Sequence, residues 1–235
     1  MAIRYRILGG VLVSAAMLLV LAGVPASSRA ASGAQAVITW RALESYVPPA
    51  YGGKALPNQA SQVTASVEAF ADSKRSDLSD VTVYWYLNDT LIGGGLGARS
   101  MSFTPFGGTS GPETLRVEMP DYPSGLLMGT VQIPVVSPTA VIGAPYPAGD
   151  FSVNPLVVDA LPYFWNITSP AQLSFGWSVN GQPISGAENP DHLQVTLGQG
   201  TRAGSNFDVQ LAITNAADST TATDEKVMTY QPLPQ

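Results

Sequence analysis

The chain has 235 residues, room for one large or two small domains. It contains no cysteine and one histidine, His192, which excludes disulfides, thiolate metal sites, a Cys nucleophile and any mechanism needing two imidazoles. Gly (23) and Pro (19) are abundant and only 12% of residues are charged, which fits an export segment followed by a turn-rich β protein and not a helical bundle.

Residues 1–31 read as a targeting segment. Arg4 and Arg6 precede an uncharged, mostly apolar stretch from Ile7 to Val24, and the small-residue run Pro25-Ala26-Ser27-Ser28-Arg29-Ala30-Ala31 follows. A cut after Ala30 would place Ser28 and Ala30 where a signal peptidase needs small side chains. The apolar stretch also reaches the ~18 residues that span a bilayer, so a cleaved signal and a retained membrane anchor through Ile7 to Val24 both stand. Either one exports the rest of the chain, to a periplasmic, cell-surface or extracellular location, with the positive residues left inside. Removal of residues 1–30 leaves 8 basic against 17 acidic residues, a formal charge of −9. That balance argues against binding a phosphate backbone, so no nucleic-acid partner is expected.

Beyond the segment, an internal repeat organises the chain. Val63 to Phe70 alternates as a half-buried strand. Val83-Tyr84-Trp85-Tyr86-Leu87-Asn88-Asp89 is echoed 92 positions later by Phe175-Gly176-Trp177-Ser178-Val179-Asn180-Gly181. Asn-Asp and Asn-Gly are signals for a tight hairpin turn, because both central residues take positive φ. Each turn is followed by a short β-prone piece, Thr90-Leu91-Ile92 and Pro183-Ile184. Gly93-Gly94-Gly95-Leu96-Gly97-Ala98 then reads as a flexible loop. Its formal match to a dinucleotide fingerprint fails because no helix follows to receive the phosphate. Met101 to Thr104 answers Leu193 to Thr196, and Gly-rich loops follow both. Leu115 to Glu118 answers Val209 to Ile213, and closing strands run over 130–133 and 226–230. The spacing predicts an all-β chain of two tandem β-sandwiches, residues 36–134 and 139–231. A Pro-bounded linker at 135–138 would set them roughly end to end. Trp85 and Trp177 are expected to fill the two cores. With the last strand ending near Tyr230, any tether is expected at the N-terminus.

A strand-borne Trp followed closely by Asn-Asp or Asn-Gly resembles strand C of immunoglobulin-like domains, including the cysteine-free bacterial kind and the related polycystic-kidney-disease-type repeats. The resemblance covers about residues 36–231. It implies tandem immunoglobulin-like sandwiches with Trp85 and Trp177 as core plugs. The first unit, through Ile38-Thr39-Trp40 and Tyr46-Val47-Pro48-Pro49-Ala50-Tyr51, is also similar to exported envelope proteins of small-genome bacteria, which implies location and no chemistry. The acidic Gly-rich turn of the polycystic-kidney-disease type is missing, with Asn88-Asp89 and Asn180-Gly181 in its place.

Few residue groups suggest chemistry. Asp191-His192 invites a triad, but no Gly-x-Ser-x-Gly accompanies it, and His192 reads as a surface histidine. Asp72, Asp77 and Asp80 form an acidic loop that calcium could use, with Lys74 and Arg75 offsetting the charge; a solvated loop is the plainer reading. No cofactor is expected. The aromatic loop holding Tyr46 and Tyr51, and the cluster Tyr163-Phe164-Trp165, are the contact candidates, since aromatics beside stiff prolines make low-entropy binding surfaces. The expectation is a non-catalytic envelope spacer or adhesion-type module with a protein or glycan partner, the alternative being a carbohydrate-binding module.

Overall fold

A computed structural model describes residues 33–106, 111–185 and 189–233. The expected targeting segment, residues 1–31, and residues 107–110 of the first Gly-rich stretch lie outside these residues. In the first half the strands are β1 (Gln35–Ala42), β2 (Ser45–Tyr46), β3 (Val63–Ala71), β4 (Lys74–Arg75), β5 (Thr82–Leu87), β6 (Thr90–Leu96), β7 (Ser100–Phe103), β8 (Gly111–Met119) and β9 (Leu127–Val135). In the second half they are β10 (Thr139–Gly143), β11 (Asp150–Phe151), β12 (Leu156–Tyr163), β13 (Trp165–Asn166), β14 (Leu173–Val179), β15 (Gln182–Ile184), β16 (His192–Val195), β17 (Ser205–Asn215) and β18 (Thr220–Tyr230). One 3-10 turn, Pro170–Gln172, is the only helical element among the described residues, capped by Ser169 and Gln172.

Alternation decides which face each strand buries. In β3, Val63, Ala65, Val67 and Ala69 point into the core, and in β5 Val83, Trp85 and Leu87 do so. The first half closes its core between β1-β3-β7, with β4 beside β3, and β6-β5-β8-β9. The second half closes a separate core between β10-β12-β16 and β11-β18-β17-β14-β15. In each half three strands face a larger sheet in which the Trp-bearing strand lies beside an edge strand, β6 or β15, and this is the strand order of an immunoglobulin-like β-sandwich.

The repeat extends to single hydrogen bonds. Trp85 Nε1 donates to the Ala98 carbonyl at 2.8 Å, and Trp177 Nε1 donates to the Pro190 carbonyl at 2.9 Å, in both cases 13 residues downstream. Trp85 is fully buried and Trp177 is 4% exposed. Asn88 and Asn180 each accept through Oδ1 from a main-chain N–H of the strand beyond, Thr114 and Asp208, at 2.9 Å.

Two expectations are corrected. Gly93 to Leu96 is not loop but the continuation of β6, paired with Thr82 to Trp85. Glycine makes this possible at Gly94, where φ is +155° and a Cβ would strike the Val83 carbonyl and the Tyr84 ring. The connector is also shorter than expected: β9 takes up Val135, so only residues 136–138 join the halves.

Candidate functional site at the joint

The two aromatic clusters expected to offer separate contact surfaces are each other's partners. β2 pairs antiparallel with β13, setting Tyr46 opposite Trp165 and Ser45 opposite Asn166. The Phe164 N–H donates to the Tyr46 carbonyl at 2.7 Å. Tyr51 meets Tyr163 edge-on at 5.6 Å between centroids and Phe164 at 5.8 Å. Trp165 is a correction: it is 1% exposed, donates through Nε1 to the Thr139 carbonyl, and belongs to the second core. Tyr46, Tyr51 and Tyr163 are half-buried.

Asn58 locks this joint. It is buried, and its Nδ2 donates to the Phe164 carbonyl at 2.7 Å, while its Oδ1 accepts from Ala60 N and its own N–H donates to Ser61 Oγ. The Val136 N–H, in the connector, donates to the Pro57 carbonyl. Phe164 itself sits at φ 60°, a left-handed conformation that is costly for an aromatic residue. Both of its main-chain polar groups are held from the first half, which is the over-determination such strain requires.

Beside the joint lies a cleft of about 460 Å³. Tyr46, Pro48 and Pro49 line it from the first half, and Pro162, Phe175, Asp159, Asp191 and His192 from the second. His192 and Asp159 are opposite each other on β16 and β12, with Nδ1 and Oδ1 2.6 Å apart. The carboxylate against the imidazole is therefore Asp159 and not the sequence neighbour Asp191, whose carbonyl instead accepts from Ala160 N.

The three acidic residues considered for calcium are not brought together. Asp72 occupies the β3–β4 turn with Ser73, at φ 49° and 62°. Asp77 accepts from Ser79 N and Oγ and pairs with Arg99. Those Ser79 hydrogen bonds, helped by the Arg99 charge, hold its carboxyl below the ordinary aspartate value. Asp80 is exposed in the turn before β5. Among the described residues no cluster of three His, Cys, Asp or Glu side chains is arranged to hold a metal ion.

Sequence reasoning missed the outer face of β5. Tyr84 and Tyr86 flank Trp85 and point the other way. The Arg116 guanidinium lies 4.3 Å from the Tyr86 ring centre and pairs with Glu118 and Asp89. The signal was available, because alternation that buries Trp85 exposes both tyrosines.

No protein-family model matches the chain, and no curated protein matches it. Solved structures do. The fibronectin(III)-like modules of Clostridium thermocellum CbhA are 16% identical, with a TM-score of 0.30, over 83% of this chain and 95% of that one. The three N-terminal domains of the bacteriophage RB49 Highly Immunogenic Outer Capsid protein are 11% identical, with a TM-score of 0.31, over 86% and 71%. Immunoglobulin domains 1–4 of Sidekick-1 are 13% identical, with a TM-score of 0.29, over 83% and 50%. The class of the chain, an immunoglobulin-like β-sandwich protein, rests on its own strand order.

Proposed function

We propose that the chain is an exported, non-catalytic module of two tandem immunoglobulin-like sandwiches, acting at the cell envelope as a stiff spacer that presents sheet faces and loops to a partner. The braced joint carries this reading. A spacer must transmit position from one end to the other. Here a main-chain ladder, a buried amide and an aromatic cluster join the halves where a bare connector would leave them free to swing. Residues 1–31 supply the export part of the reading, as a cleaved signal or as an anchor.

The absence of cysteine makes the test clean. Spin labels on Thr130→Cys and Thr223→Cys, exposed in different halves, report the distance between them. A single narrow distance distribution is expected; a broad one would overturn the spacer. Intact mass of the protein from medium and membrane fractions tests export, which fails if the full-length chain stays in the cytoplasm.

The cleft favours a second reading, a glycan-binding module. Tyr46 and Phe175 line it beside Asp159, Asp191 and His192, a mixture of aromatic and polar side chains that suits a sugar. Calorimetric titration with soluble glycans should then give binding that Asp191→Asn abolishes. Heat from no glycan, or equal heat from the variant, leaves the spacer reading alone.

A further inference from the structure

The large apolar side chains left in water are gathered on the first half. In the second half they stand apart, Ile184 on β15, Val227 on β18, and Val153 and Leu233 outside any strand. On the outer face of the β6-β5-β8-β9 sheet they stand together. Leu96 is 67% exposed and lies opposite Thr82 in the ladder. One row further in, Tyr84 and Met128 lie on either side of Glu118, with Met128 at 54% exposure. Leu126, one residue before β9, is 59% exposed. The acids among them are engaged: Glu118 pairs with Arg116, and Asp121 accepts from the Thr82 N–H and hydroxyl. An apolar cluster of this kind marks a contact surface.

The place of the cluster in the fold points to its occupant. The joint takes up the end of the first half where β1 and β9 finish. The cluster lies at the opposite end, where β9 begins and β6 finishes. The chain enters the sandwich at this same end, because β1 begins here. Ala36 lies so close to Gly129, the residue after Met128, that a Cβ there would strike it. Ahead of β1 in the sequence comes the apolar stretch Ile7 to Val24. Val24 and Ala36 are 12 positions apart, at most about 40 Å of extended chain. We propose that this end of the first half seats on a membrane: with Ile7 to Val24 retained as an anchor, Tyr84, Leu96, Leu126 and Met128 dip into the headgroup region of the same bilayer. The proposal rests on the anchor form of the export reading. Leaving water favours the leucines and the methionine, and a tyrosine suits the interface, with its ring in apolar surroundings and its hydroxyl in water. A few such side chains hold a free protein weakly. A short tether makes the contact intramolecular, so a weak preference is enough to populate it. The contact is apolar and needs no lipid charge. Seated in this way, the first half stands on the membrane, and the joint carries that orientation to the second half.

The test uses the full chain, which lacks cysteine, reconstituted in phosphatidylcholine vesicles. Leu96→Cys and Leu126→Cys each carry an environment-sensitive dye. Ile184→Cys, at an exposed residue of the second half, carries the same dye for comparison. Flotation shows whether the chain stays with the vesicles. The dyes at positions 96 and 126 should emit to the blue of the one at 184. Nitroxide-bearing lipid should quench them several-fold more strongly, at low and at high salt. Adding Leu96→Ser and Met128→Ser to Leu126→Cys should remove most of that quenching with the melting temperature unchanged. A chain that does not float overturns the anchor reading and this proposal with it. A chain that floats with all three dyes equally in water overturns the seating alone. Dyes shielded from water yet untouched by nitroxide lipid would show another protein surface on this face, and would overturn the seating too. Should the two serines disturb the fold, the single labels decide.

Discussion

Trp85 and Trp177 each fill a core and spend their one polar group on a loop carbonyl 13 residues on, so each ties the loop before β7 or β16 to its own strand. Truncating Trp177 to Ala should cost about 3–5 kcal/mol in chemical denaturation, and Trp177→Phe less, since it keeps most of the apolar volume and loses the indole donor. A denaturation midpoint that hardly moves for Trp177→Ala would place that side chain outside the core. Glu113 is a different kind of buried residue. Its Oε1 accepts from Phe106 N, but Oε2 is buried without a partner, and burial raises its carboxyl pKa above the ordinary value of 4.5. With the folded pKa the higher, a proton stabilises the fold. That contribution is full below about pH 4.5 and is lost as pH rises through the folded value. Glu113→Gln should therefore melt above the unmodified chain at neutral pH, with the gap closing near pH 4. Parallel melting curves across that range would show that the carboxylate is not penalised. Asp121 has the opposite sign: the Thr82 hydroxyl and N–H hold it low, so its contribution is present above 3.8 and lost on acidification.

At the scale of elements, the hairpins β5–β6 and β14–β15 turn on Asn88-Asp89 and Asn180-Gly181, with φ of 47° and 64°, and of 50° and 73°. The Asn does two things in each. It tolerates the left-handed conformation, and it clamps the turn to the next strand, accepting from Asp208 N and donating its N–H to the Asp208 carbonyl in the second half. Asn180→Ala keeps the main-chain bond but loses the side-chain acceptor and the left-handed tolerance, and should cost about 1–3 kcal/mol, whereas Asn180→Gly restores the backbone freedom and should recover part of it. Equal losses for the two would leave the clamp as the whole effect. Such turns are legible in sequence because their causes are local, and so is the alternation that buries Trp85. The run Gly93-Gly94-Gly95 misleads for the opposite reason. Its composition says loop, but Tyr84 lying over Gly94 and the Thr82–Trp85 backbone make it strand. The joint leaves no local mark at all. Tyr46 and Trp165 are separated by more than 100 residues, and each cluster alone has the composition of an exposed recognition loop.

For the whole molecule, the joint sets main-chain, amide and aromatic contacts between the two cores, and Asn58 is its buried side-chain bridge. Each core has its own tryptophan plug and its own pair of sheets, so a flexible connector would let the halves unfold independently. The β2–β13 ladder sits between them, and Trp165 ties it to the second core. Asn58→Asp separates the local role of this residue from its bridging role. The aspartate still accepts from Ala60 N and leaves the Ser61 contact in place, but it has no donor for the Phe164 carbonyl and sets a negative charge against it. Calorimetry of the unmodified chain should show one cooperative transition, and Asn58→Asp should split it in two. Adding Trp177→Ala should then lower only one of the two midpoints, because the loss stays in its own core. If Asn58→Asp melts as one transition, the coupling lies in the aromatic contacts of Tyr51, and Tyr51→Ala becomes the variant that should divide the molecule.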